Sequence, residues 1–416
     1  MSSEDSELSL SSDENLEQNQ NLDLTGEILN TYNIICELGR GSFSIVWLAY
    51  NISNNNFYAI KVQDPSEYDA GISEIKFVQN LPKNPAVFNN IIEHFTEIRR
   101  SPSSKEKLKY LCSVWELHCS NIDGLIRKGK YKNGFPLHMV KSIMRQLIEA
   151  VYILHKKFKV FHGDIKTDNI FVKGINAKDE YIIEKYRSMQ FFDKYSDAKK
   201  EFCIKNKKNI ELLKKEEKLM LRHAVHKNIT MKVLEMYEES GISKHTIDNK
   251  YLDNIKISLG DFGTHCNEDD SYEDAFGTRY YMAPEIILMG QCNFPVDTWA
   301  IGCTFYELLT GNLLFDPEKD SRYSRDYYHL QLISETCGEL PSNLVKKTKY
   351  YKKFFTTNYK LIDYTPPEKN RLVRKLEEVD VEGKGKVYEI MNAMLQTESH
   401  KRMTLDSMLK EEFFKS

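Results

Sequence analysis

Between Val160 and Val172 the sequence reads VFHGDIKTDNIFV, two apolar runs wrapped around a block of polar residues. β-Branched and aromatic residues on both sides predict two short strands joined by a polar loop. Charges held close to buried strands are costly unless they are paired or used. Asp164, Lys166 and Asn169 are placed within this loop so that each can do a different task. Asp164 can accept the proton of a hydroxyl, Lys166 can neutralise a phosphoryl group in transfer, and Asn169 can offer an oxygen to Mg2+. A fortuitous loop would rarely bring these three residue types together at such offsets.

Other segments extend the pattern on both sides. YNIICELGRGSFSIVWLAY, from Tyr32 to Tyr50, reads as two strands and a tight turn, and NFYAIKV as a third strand. Gly39 and Gly41 in the turn allow backbone N–H groups to approach a polyphosphate without a Cβ in the way. Glycine-rich hairpins are common, so this turn alone decides little, and Ser44 stands where a third glycine is usual. Lys61 falls in a strand expected to be buried and so needs an anion. The phosphates of ATP are one candidate. A carboxylate is the other, with Glu74 on the next predicted helix preferred and Glu67 also near; a lysine snorkelling to water is the plain alternative. Downstream, Asp261-Phe262-Gly263 supplies a second metal carboxylate, followed by Gly277-Thr278 and Ala283-Pro284-Glu285. Glycine-rich turn, strand lysine, catalytic loop, metal aspartate and Ala-Pro-Glu, in that order, form the protein-kinase signature set.

On these residues the chain resembles eukaryotic-type protein kinases from about Tyr32 to Phe414. The resemblance implies an α+β, bilobal protein-kinase fold: a small β-rich N-lobe over about 32–117 and a larger helical C-lobe over about 118–414. It implies ATP and Mg2+ as cofactors, with Asp164, Lys166, Lys61 and Glu74 as the catalytic set and Asn169 and Asp261 as metal ligands. The nucleotide would meet Leu38, Gly39, Arg40, Gly41, Ser42, Phe43, Ser44, Val46, Ala59, Lys61, Glu116, His118 and Phe171, with Trp115 at the gatekeeper position. Within kinases, GSFSIVWLAYN, HGDIKTDNIF, SRYSRDYYHLQLISETCGELP and KKFFTTNYKLIDY are most similar to the SR-protein kinases, as is the place of a long insert between Asn169 and Asp261. That implies transfer to serine or threonine of protein substrates, Arg-Ser-rich ones among them. Lys166 and Thr278 resemble the serine/threonine class, and Arg402 resembles the arginine that pairs with Glu285. Two positions depart from the wider pattern: Gly163 and Met282 each stand where an arginine is usual. The loss at Gly163 implies activity without phosphorylation of the activation segment.

The remaining chain is read from composition and periodicity. Residues 1–26 are rich in Ser, Asp, Glu, Asn and Gln, no Lys or Arg precedes Arg40, and the segment is expected to be disordered. Met139, Ile143, Leu147, Val151 and Leu154 predict a buried helix starting near Pro136. Residues 174–250 are Lys- and Glu-rich and predict an inserted, solvent-facing helical spacer, partly flexible. Glutamates interleave its Lys205–Lys208 and Lys214-Lys215 patches and no aromatic platform accompanies them, so direct nucleic-acid binding is not expected. Glu268-Asp269-Asp270 and Glu273-Asp274 would favour a basic peptide. Eight cysteines without a Cys-x-x-Cys predict reduced thiols. No apolar run of membrane length and no signal pattern occur, which predicts a cytoplasmic or nuclear protein without a membrane anchor. A catalytically silent scaffold is the competing reading; the presence of Lys61, Asp164, Asn169 and Asp261 argues against it.

Overall fold

The computed structural model describes residues 22–100, 107–267, 275–348 and 351–415. The chain divides into two compact units. One comprises the chain up to Leu81, Asn90–His118 and Gly174–Asp248; the other comprises Pro82–Asn89, Cys119–Lys173 and the chain from Asn249 on.

The first unit is built on a six-stranded antiparallel sheet in the order β1-β2-β3-β4-β6-β5. Its strands are β1 (Ile28–Leu29), β2 (Tyr32–Arg40), β3 (Ser44–Asn51), β4 (Phe57–Gln63), β5 (Ile91–Arg100) and β6 (Lys107–Trp115). Side chains alternate across a strand, so paired residues share a face. Val46 pairs with Lys61 and Leu48 with Ala59, which puts all four on one face. On the other face Tyr32, Ile34, Trp47, Ala49, Ile60 and Val62 form a core with Leu24 and Leu29. Leu24 is fully buried. The segment expected to be disordered over 1–26 therefore includes ordered chain: Leu22 and Leu24 give its end enough apolar surface to be held on the sheet. Residues 1–21 lie outside the described residues.

Helix α1 (Tyr68–Val78) buries Gly71, Glu74, Ile75 and Val78, one stripe at helical spacing. The insert forms α2 (Ala177–Ser188), α3 (Phe191–Asn206) and α4 (Lys215–Ser240). Its expected solvent-facing character holds only for part of it, including Phe192 and Ile204 on α3, which are exposed. Ile182, Ile183 and Tyr186 of α2 and Val225, Ile229 and Val233 of α4 instead pack on Ile35, Cys36, Leu48 and Phe57 of the sheet. The physical reason lies in both partners. Val225, Ile229 and Val233 recur every fourth residue, an apolar stripe that needs a surface to cover. The consecutive apolar residues Ile34, Ile35 and Cys36 mark a strand buried on both faces. Asn33 ties the strand to both helices, donating from Nδ2 to the Tyr186 Oη (3.1 Å) and to Thr230 Oγ1 (2.9 Å).

In the second unit, helix Leu137–Ile153 follows Pro136 as predicted, and helix Pro295–Thr310 is buried along nearly its whole length. Two short strand pairs frame the polar loop. β7 (Val160–Phe161) pairs with β10 (Cys266–Asn267), and β8 (Ile170–Lys173) pairs with β9 (Ile257–Leu259), both antiparallel. Much of the chain from 283 onward is helical. The eight cysteines are free thiols, and six of them are buried. Among the described residues no helix is long and apolar enough to cross a membrane.

His329, on helix Arg325–Cys337, has no solvent exposure and no hydrogen bond at either ring nitrogen. It packs against the Phe315 ring, 5.5 Å between centroids. Burial, aided by the charge of Arg279, pushes its pKa down to about 3. The folded chain thus keeps His329 neutral where the unfolded chain, with an ordinary imidazole near pH 6.5, takes up a proton. Folding stability is expected to fall as pH drops from about 6.5 towards 3, by up to ~1.4 kcal/mol per pH unit from this group. Urea melts of the wild type and His329→Leu across that range should diverge as pH falls; parallel curves would show that His329 does not contribute.

Candidate active site

The polar loop between β7 and β8 is held from below by Asp297, in the first turn of helix Pro295–Thr310. Its carboxylate accepts hydrogen bonds from the backbone N–H of His162 (2.8 Å) and of Gly163 (3.0 Å), and Oδ2 lies 2.8 Å from His155 Nε2. Asp297 is 1% exposed, so this ring of donors is what keeps a charge in the interior. The His162 Nε2 is 3.1 Å from the Gly260 carbonyl, and Gly260 N–H donates to the Asn169 carbonyl at 3.0 Å. These bonds tie the loop to the segment carrying Asp261.

Above this base, Asp164, Lys166, Asn169 and Thr278 converge. Lys166 Nζ is 2.9 Å from Asp164 Oδ2 and donates to Thr278 Oγ1 at 2.7 Å. Thr278 N–H donates to Asp164 Oδ1 at 2.7 Å. Burial would push the Asp164 carboxyl up, but the Lys166 ammonium and the Thr278 hydrogen bond outweigh it and hold the pKa below the usual carboxylate value. Asp164 is therefore an ionised acceptor at neutral pH.

Asn169 donates from Nδ2 to the Asp164 carbonyl (2.8 Å). That contact fixes the amide with its oxygen as the group left for a cation. Asp261 is exposed and adopts φ +60°, a left-handed conformation uncommon outside glycine. Beside it, Phe262 is buried against His162, 5.2 Å between ring centroids, and against Phe88, 6.1 Å. An amide oxygen and a carboxylate are hard donors and suit Mg2+, which takes one or two protein ligands and completes its shell with phosphate oxygens and water. Among the described residues no cluster of three His, Cys, Asp or Glu side chains could hold a metal without such help. Phe171 is half-buried on β8, opposite Ser258.

In the first unit the Lys61 anion is resolved as Glu74, with Nζ 3.2 Å from Oε2. The buried stripe of α1 carries Glu74 towards the sheet, whereas Glu67 precedes the helix. Lys61 is flanked in the sheet by Val46 on β3 and Ser113 on β6. The glycine-rich turn closes with Gly41 N–H donating to the Ser44 carbonyl at 2.9 Å. Gly39, Arg40, Gly41, Ser42 and Phe43 are exposed at its tip, and Ser44 and Val46 are partly covered. Leu38 packs against the cluster shared with the insert. Trp115 ends β6 opposite Ala59, followed by exposed Glu116 and half-buried His118.

The family model for the protein kinase domain matches residues 32–183 and 246–414. The chain belongs to the protein kinase family. It is 28% identical to a protein of Acanthamoeba polyphaga mimivirus that carries a serine/threonine-protein kinase name, over 78% of this chain and 75% of that one. It is 28% identical to the serine/threonine-protein kinase SRPK of Physarum polycephalum, covering 81% and 74%, and 23% identical to SRSF protein kinase 3 of mouse, covering 79% and 76%. The gap between the two matched stretches, 184–245, lies within the insert.

The kinase's departure at Gly163 has a local cause. Its φ is +79°, and a Cβ there would sit 2.9 Å from the Thr264 carbonyl oxygen. At Gly277, with φ +77°, a Cβ would sit 2.4 Å from the Gly163 carbonyl oxygen. Neither site admits a side chain without a backbone shift. Met282 is buried. The acidic residues 268–270 and 273–274 lie outside the described residues. Asp297, the loop's anchor, is not among the site residues the sequence pointed to. The signal was an acidic residue in the first turn of a largely apolar helix, but its partners are more than 130 residues away.

Proposed function

We propose that this kinase transfers the γ-phosphate of Mg·ATP to serine or threonine hydroxyls of protein substrates, basic and Arg-Ser-rich ones in particular. The observation that carries the proposal is the Asp164–Lys166–Thr278–Asn169 cluster, in which a carboxylate, a cation, a hydroxyl and an amide are joined by hydrogen bonds. Mg·ATP supplies the electrophilic phosphoryl group and the charge that neutralises it. Asp164 orients the substrate hydroxyl and takes its proton. Lys166 sits where negative charge grows on the transferring group, and Thr278 keeps it there. Asn169 and Asp261 would hold the metal, and Lys61, fixed by Glu74, would hold the nucleotide phosphates. There is little covalent work in such a reaction, so position and charge account for the rate.

The similarity to SRPK of Physarum and SRSF protein kinase 3 of mouse supports the Arg-Ser preference, and the sequence pattern supports a cytoplasmic or nuclear place of action. The test is transfer of labelled γ-phosphate to an Arg-Ser repeat peptide, a generic basic peptide and an acidic serine peptide. Transfer to the repeat above the other two is the expected result. Equal transfer to basic and acidic peptides would remove the substrate preference, and no transfer to any acceptor by a folded, ATP-binding chain would remove the enzyme.

A further inference from the structure

The insert lies against the same sheet face that the nucleotide-binding residues occupy. Val46, Ala59 and Lys61 hold one part of that face. Cys36, Leu48 and Phe57, further along the same paired strands, are covered by α2 and α4. Leu38 and Leu117 also pack against this insert cluster. Leu38 directly precedes Gly39 of the glycine-rich turn, and Leu117 lies between Glu116 and His118.

One contact of the insert falls at a break in the β2 ladder. Its register against β3 slips between Glu37 and Gly39, a bulge at the point where the strand enters the turn. Bulges interrupt the hydrogen-bond ladder and loosen a strand locally. At that break Lys178 of α2 donates from Nζ to the Glu37 carbonyl at 3.3 Å. The same ammonium lies 5.6 Å from the centre of the Tyr237 ring on α4, which holds it from the other side. Lys178 is thus shared by the two insert helices and the strand leading into the phosphate-binding turn.

We propose that Lys178 is a positioning residue for the nucleotide: it pins the end of β2 to the insert, so that Leu38 and the turn are preordered before ATP arrives. This rests on the ATP reading of the site. A strand end ordered only part of the time binds its ligand more weakly by the fraction of time it is competent. Losing one charged hydrogen bond at the bulge is expected to weaken ATP roughly three- to tenfold. Chemistry at Asp164 is in the other unit and does not depend on this bond.

The experiment compares the full-length wild type with Lys178→Met, Lys178→Arg and, as a surface control on the insert, exposed Lys205→Ala. Three quantities are read: the dissociation constant for a fluorescent ATP analogue with Mg2+, KM for ATP against kcat and peptide KM, and hydrogen exchange of the β2 amides without nucleotide. The expected result for Lys178→Met is weaker ATP binding, a raised KM for ATP, kcat and peptide KM within twofold, and faster exchange in β2. Lys178→Arg should restore binding, because arginine also reaches the carbonyl, and Lys205→Ala should match the wild type. Unchanged ATP affinity and β2 exchange in Lys178→Met would overturn the proposal, as would a loss of kcat and peptide binding in step with ATP. If Lys178→Met does not fold, failure of Lys178→Arg to keep wild-type ATP affinity decides against it. A wild type that binds ATP but transfers nothing would strike the kinase reaction and leave this proposal standing; a wild type that binds no ATP would sink both.

Discussion

Replacing Arg402 by alanine is expected to cost about 3–5 kcal/mol of folding stability, because it leaves the Glu285 carboxylate buried without its partner. Arg402 donates from Nη1 and Nη2 to the two Glu285 oxygens at 2.5 and 2.7 Å. It also donates to the carbonyls of Gln396 (2.8 Å) and Pro295 (3.0 Å), and its guanidinium lies 5.1 Å from the centre of the Trp299 ring. Glu285 is 2% exposed and Arg402 4%, so water cannot replace what the substitution removes. Urea denaturation reads the loss directly. The double variant Glu285→Gln, Arg402→Met should lose less than the sum of its parts, since neither partner is then left as an unpaired charge. An Arg402→Ala chain within 1 kcal/mol of wild type would mean that the pair is not the buried clamp described.

The second large effect is on rate. Asp164→Ala is expected to lower kcat by roughly 10²–10⁴-fold, the span associated with removing a positioned proton acceptor. KM for ATP should move much less, because the proposed role of Asp164 is at the substrate hydroxyl and not at the nucleotide. Asp164→Asn separates charge from shape: it can keep a contact to Thr278 N–H but cannot take a proton, so it should be nearly as slow. Initial rates of labelled phosphate transfer check both. A kcat within tenfold of wild type in either variant would show that another group accepts the proton.

Much of this protein is legible along the chain. The catalytic offsets of Asp164, Lys166 and Asn169 are local, because a short loop between two strands brings them together whatever else the fold does. The helix after Pro136 is legible from its apolar period, and the strands β2, β3 and β4 from their β-branched runs and glycines. Glu74 is nearly so, since a one-sided helical stripe following the Lys61 strand narrows the choice to the acid on its buried face.

The rest needed distance to be collapsed. Asp297 carries the catalytic loop from more than 130 residues downstream, and nothing near it in sequence signals two backbone donors. Gly163 looks like a missing arginine in the sequence; only the +79° backbone and the Thr264 carbonyl show a place where no side chain fits. The insert reads as a charged spacer because charges dominate its composition. Its burial is decided by a few aliphatic residues on α2 and α4 meeting a strand with apolar residues on both faces. The sequence by itself determined the spacing of the proposed reacting groups, which covalent geometry sets over a few residues. The tertiary structure alone decided what holds them in place, because burial and partner choice arise between segments whose separation along the chain carries no record of their contact.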